Sequence, residues 1–189
     1  MTDAAQKERF RQLVIELIDE NPFAIRAVLK ILETEFTDKV PTLAVTCEGR
    51  PRLLVNIDFV TAHCKTDAQI KAVISHEFLH VLLRHTEEKK PFTAARHLAL
   101  DAIINAIIHR QLGCPYSSMM SEYYSKADGL QKLLRPMNKE EEDFFYDNWD
   151  QWSEPKYAWI TAWFALYGGQ LVADDIEALA LQMASAREG

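Results

Sequence analysis

Residues 76–80 read His-Glu-Phe-Leu-His, an HExxH pattern in which two imidazoles bracket one carboxylate. On a helix, side chains four residues apart stand on the same face, one turn above the other. His76 and His80 can then take neighbouring corners of a tetrahedral zinc. Glu77 is turned about 100° from His76 around such a helix. It therefore stands beside the metal rather than on it, where it can act as general base toward a metal-polarised water. The expected chemistry is zinc-dependent hydrolysis of an amide bond, with Zn2+ as cofactor and a peptide or protein as substrate.

A catalytic zinc usually has three protein ligands and one open position. The extended pattern HExxHxxGxxH is absent, because Leu83 stands where it needs glycine and Thr86 where it needs histidine. His85 follows His76 by nine residues, half a turn out of phase on a continuous helix, so it would face away from the metal. It is expected as a surface or supporting histidine near the helix C-terminus, where its charge is favourable. Asp101 is the expected third ligand. It sits in the apolar run Leu98–Ile108, where a lone carboxylate is expensive unless it meets a cation or a metal. His97, Asp101 and Asn105 recur every four residues and form one polar stripe on that helix. The alternatives are an Asp101 paired with Arg84 or Arg96 or bonded to His97, and His97 itself as ligand.

These side chains must be carried by particular elements. Thr66-Asp67 marks a helix start before Ile70, Val73, Ile74, Phe78, Val81 and Leu82, with an expected end near Thr86. A loop over 87–92 would let a second helix, over about 93–112, fold back on the first, with Gly113 and Pro115 closing it. Upstream, Phe10, Leu13, Val14, Leu17 and Ile18 give residues 4–20 a helical face, and Asn21-Pro22 ends it and starts another helix bearing Phe23, Ala27, Val28, Ile31 and Leu32. Residues 42–47 and 52–57 are β-rich runs around the turn Glu48-Gly49-Arg50-Pro51, which predicts a hairpin. Downstream, helical patterning covers 118–135 up to Pro136, then 156–167 and 172–187. Between them, 139–153 joins an acidic run to Phe144, Phe145, Tyr146, Trp149 and Trp152. These aromatics are expected mostly as core, with docking of a protein partner as the competing use.

The chain of 189 residues is 48% hydrophobic and 26% charged, the make-up of an ordinary globular protein able to bury a core. A net charge of −7 argues against nucleic acid as a partner. No stretch reaches the roughly 18 uncharged apolar residues of a membrane span, and the charged N-terminus lacks the apolar core of a signal peptide. Cys47, Cys64 and Cys114 are odd in number and form no CxxC pair, so free thiols in a reducing compartment are expected. Together these place the protein in the cytoplasm. No linker clearly divides the sequence, and one domain over 1–189 is expected.

The sequence resembles the metallopeptidase domain that precedes a von Willebrand factor A-like domain in bacterial proteins. The resemblance lies in Pro41-Thr42-Leu43-Ala44-Val45, in Asn56 and Phe59 of a strand-to-loop segment, in His76-Glu77-Phe78-Leu79-His80 with His85 following, and in Leu98-x-x-Asp101-x-x-Ile104-Asn105. It covers residues 40–135. It implies an α+β, zincin-like fold, mostly helical with a small sheet or hairpin whose edge lies near the HExxH helix, and a peptidase activity. Such sites often bind an extended peptide along a sheet edge by strand addition. Tyr116, Tyr123, Tyr124 and His97 are the candidates for stabilising the oxyanion.

Overall fold

The computed structural model describes residues 2–20, 33–46, 52–85, 93–151 and 157–188. It is mostly helical with a three-stranded sheet, an α+β composition. The chain forms two compact units, Met1–Lys89 and Lys90–Gly189. No helix among the described residues is long and apolar enough to cross a membrane. The expected helix over 22–32, the turn 48–51 and the loop 87–92 lie outside the described residues.

The first unit begins with α1 (Asp3–Glu20), which buries Phe10, Leu13 and Leu17 along one face. Three strands follow, β1 (Glu33–Phe36), β2 (Leu43–Thr46) and β3 (Arg52–Val55). The sheet order is β1-β3-β2, with β3 antiparallel to β2 and parallel to β1. The antiparallel pair is the expected hairpin. The strand β1 is not foreseen by the sequence, because Glu-Thr-Glu-Phe carries little apolar alternation.

β3 stops at Val55, short of the expected Ile57. Asn56 ends it by capping a short helix, α2 (Ile57–His63): its Oδ1 accepts from the N–H groups of Asp58 and Phe59. Its Nδ2 donates to the Val40 carbonyl at 2.9 Å, tying the cap to the loop before β2. Helix α3 (Asp67–Leu82) starts at the expected Thr66 cap, whose hydroxyl accepts from Gln69 N–H. It packs against α1 and against β2. Lys71, buried on α3, is held by Glu16 at 3.2 Å and Glu20 at 2.6 Å, both on α1. Two carboxylates around one ammonium compensate a charge that would otherwise be costly to bury.

The second unit is built on α4 (Ala94–Leu112), capped by Thr93 and stopped by Gly113 in a left-handed conformation (φ 80°). Around it lie α5 (Cys114–Tyr123), α6 (Lys139–Asp147), α7 (Ala158–Tyr167) and α8 (Ala173–Glu188). The patterning over 118–135 resolves into α5 and a separate 3-10 turn over Gly129–Leu134. Three successive carbonyls at the end of that turn are claimed by side chains: Leu133 O by Tyr167 OH at 3.3 Å, Leu134 O by Asn105 Nδ2 at 2.9 Å, and Arg135 O by Trp163 Nε1 at 2.9 Å. Arg96, buried at the start of α4, pairs with Asp174 at 2.6 Å and Glu177 at 3.1 Å on α8.

Helix α7 ends in a Schellman motif. Gly169 N–H donates to Leu166 O at 2.9 Å and Gln170 N–H to Ala165 O at 2.8 Å. Gly169 has φ +77°, and a Cβ there would fall 1.7 Å from Arg110 Nη1. The Arg110 end can swing aside, but the left-handed backbone cannot be relieved. Gly169→Ala is therefore expected to cost about 1–2 kcal/mol, read as a drop of roughly 2–8 °C in the thermal midpoint. An unchanged midpoint would show that this turn relaxes freely.

Candidate metal centre

The HExxH residues sit in the last two turns of α3. The helix reaches them in phase because its start is fixed by Thr66 and its inner side by buried Ala72, Val73, Ile74 and Phe78. His76 and His80 are half-buried, and their Nε2 atoms face each other at 3.1 Å. Two nitrogens on a tetrahedral zinc, each about 2.0–2.1 Å from it, lie roughly 3.3 Å apart. The observed separation is a hydrogen-bond distance and is also close to that of two ligands sharing one ion. The donor chemistry fits as well, since imidazole nitrogen is a common zinc ligand. Glu77, also half-buried, follows His76 by one residue, about 100° farther around a regular helix.

The helix ends earlier than the sequence predicts. Leu82 is its last residue, and Leu83 closes it with its N–H on the carbonyls of Leu79 and Val81. Arg84 then takes φ 59°, the one described non-glycine residue with positive φ. This reversal returns His85 to the α3 side. Its Nδ1 lies 3.2 Å from Nδ1 of His80, and the two rings meet edge to face with centroids 5.3 Å apart. The phase argument that turns His85 away applies to a continuous helix, and this one stops three residues before His85, so the ring lies beside that of His80. No glycine or proline marks that stop, so the sequence carries no signal for it.

Asp101 belongs to the second unit. It is buried, 9% exposed, in the middle of α4. His97, one turn earlier and exposed, places Nδ1 3.6 Å from Asp101 Oδ2. Tyr124 is on the same side: burial pushes its phenol up to about 12, and the Asp101 and Tyr123 charges add to the shift. Asn105, the third member of the predicted stripe, is 1% exposed and spends its amide on the Leu134 carbonyl. The stripe therefore divides into the His97–Asp101 pair and Asn105, which holds a backbone carbonyl. Arg96 is engaged with α8, as described above. Among the oxyanion candidates, Tyr124 lies within electrostatic reach of Asp101, and Tyr123, stacked edge to face on it, is exposed.

The structure thus gathers His76, His80 and His85 in the first unit, and His97, Asp101 and Tyr124 in the second. No protein-family model, curated protein or solved structure matches the chain. The reading of the site rests on its own residues and geometry.

The aromatic segment separates into two populations. Trp159, Trp163 and Tyr167 are buried in one cluster with Leu133, Ile160 and Leu166, and Phe145 packs on it. Phe144, Tyr146 and Trp149 are exposed. Trp152 lies outside the described residues.

Proposed function

We propose that this chain is a zinc-dependent peptidase of the cytoplasm, with His76, His80 and Asp101 holding the metal and Glu77 as general base. The observation that carries the reading is the pair of Nε2 atoms 3.1 Å apart on one helix face, with a carboxylate one residue along. The expense of burying the Asp101 carboxylate in an apolar helix, which a divalent cation would compensate, supports it.

A zinc held by these residues would polarise the scissile carbonyl and make water acidic enough to give up a proton near neutral pH. The remaining steps belong to the chain's own groups. The Glu77 carboxylate accepts a proton from the attacking water as the new C–O bond forms, then delivers it to the amine nitrogen as the C–N bond breaks. The donor to the developing oxyanion is to be sought among Tyr116, Tyr123, Tyr124 and His97. An extended substrate strand is best accommodated on β2. Among the described residues β2 is an edge of the sheet, and it packs on the helix that carries the HExxH residues. Thr42 O accepts from Asn56 N–H at 2.9 Å, so alternate residues Leu43 and Val45 turn their backbone groups outward, where a peptide can pair with them.

A second reading is favoured by the exposed Phe144, Tyr146 and Trp149. There the metal is structural and this face docks onto a protein partner. Metal analysis of purified protein, followed by a peptide-library cleavage screen before and after chelation, separates the two. The peptidase reading expects about one zinc per chain and cleavage that chelation removes and zinc restores. Zinc without cleavage selects the second reading. A protein that takes up no zinc is neither.

A further inference from the structure

We propose that His85 is a positioning residue for the metal centre: its Nδ1 accepts the Nδ1–H of His80 and thereby holds His80 as the tautomer that presents Nε2 to the metal. The inference rests on the metal reading above and deepens it by naming the group that sets one ligand's proton.

The three imidazoles form a chain with a defined order of atoms. His76 Nε2 faces His80 Nε2 at 3.1 Å, and His80 Nδ1 faces His85 Nδ1 at 3.2 Å. A neutral imidazole has one N–H and one lone pair, so each contact fixes the next. If His80 offers the Nε2 lone pair to a cation, its proton must sit on Nδ1. The group facing that Nδ1 must then accept. His85 does so through its own Nδ1 lone pair, which leaves its proton on Nε2. Metal-ligating histidines almost always donate their second N–H to a carboxylate, a carbonyl or water, and the partner fixes both tautomer and ring orientation. Here the described partner of that nitrogen is an imidazole, which holds the ring without adding a negative charge to the site.

The backbone is shaped to deliver this contact. Had α3 continued, five residues would rotate His85 by about 140° from His80, and the rings could not meet. The stop at Leu82 and the left-handed turn at Arg84 bring the ring back across that angle. The contact is made Nδ1 to Nδ1, leaving Nε2 of His80 on the side of His76. His85 is therefore not arranged as a third corner of the same ion: it stands behind the His80 ring, on the nitrogen opposite the metal edge.

The test compares zinc and cobalt affinity, by competition against a chromophoric chelator, for wild type and three variants. His85→Ala removes the acceptor and is expected to weaken metal binding about 10–100-fold. His85→Asn places an amide oxygen near the position of Nδ1 and is expected to recover most of that loss. His85→Gln places its amide near the position of Nε2 and is expected not to. Nitrogen-15 NMR of wild type should show the His80 proton on Nδ1 in the zinc form, and the cobalt absorption bands should keep their shape in His85→Ala. Wild-type affinity in all three variants would overturn the positioning role while leaving the metal reading intact. Loss of a nitrogen ligand in the cobalt spectrum of His85→Ala would overturn it in the other direction, by placing His85 on the ion. A wild type that binds neither metal brings down both readings together.

Discussion

Glu77→Gln is expected to keep its zinc, keep its fold and lose nearly all turnover. The substitution preserves size and one hydrogen-bonding oxygen but removes the lone pair that takes the water proton. Loss of a general base costs about 10²–10⁴ in rate, equivalent to roughly 3–5 kcal/mol of barrier. The prediction follows from position: Glu77 follows His76 by one residue on α3, and the facing nitrogens belong to His76 and His80. Steady-state cleavage on whichever peptide the screen yields, with metal content measured on the same sample, reads both halves. Full activity with zinc bound would remove Glu77 as the base and the proposed mechanism with it. Loss of the metal would instead put the Glu77 carboxylate on the ion.

The second large effect is on metal affinity. His76→Ala and His80→Ala each delete half of the facing nitrogen pair, and neither protein is expected to retain zinc through dialysis. Asp101→Asn is the sharper variant, because the amide keeps the shape of the carboxylate and loses only its charge. If Asp101 is a ligand, zinc affinity should fall by more than about 100-fold, beyond what an outer hydrogen-bond partner costs. The same variant without metal should be at least as stable as wild type, since a buried charge has been removed from an apolar helix. Zinc at a thousandfold excess over its dissociation constant should stabilise wild type by about 4 kcal/mol, a rise on the order of 10 °C, and should stabilise Asp101→Asn far less. Equal zinc-induced stabilisation of both proteins would take Asp101 out of the ligand set.

Much of the architecture was written in local chemistry. Thr66, Thr93 and Gly113 are cap residues whose types announce helix ends, and the structure uses each for that purpose. The β2–β3 hairpin followed from two β-rich runs around a turn motif. The pairing of His76 with His80 followed from helical phase alone. What the sequence hid were features decided by tertiary context. The strand β1 is four residues of Glu-Thr-Glu-Phe, too polar and short for periodicity to reveal, and it is ordered by pairing with β3 far along the chain. The early stop of α3 has no glycine or proline to mark it and depends on a left-handed arginine. His85 was expected as a surface or supporting histidine, and the early stop is what sets it against the His80 ring. The stripe of His97, Asp101 and Asn105 was legible as polar, but spacing cannot tell a residue facing a cation from one facing a backbone carbonyl. Asn105 is the latter.

The capture of the Leu133, Leu134 and Arg135 carbonyls by Tyr167, Asn105 and Trp163 has a consequence for motion. Two helices, α4 and α7, each hold the same short stretch of chain through side chains, and a 3-10 turn has little hydrogen bonding of its own to fall back on. Releasing Tyr167 or Asn105 strands a buried carbonyl away from water, which opposes detaching the stretch one bond at a time. Amide protons in α4, α7 and residues 129–135 should therefore exchange with solvent deuterium as one cooperative group, at one common opening free energy. The helix that bears Asp101 is a member of that group. A carboxylate mounted there is held still by a contact made one turn farther along the same rod, at Asn105, and the clasp sets how often it can wander.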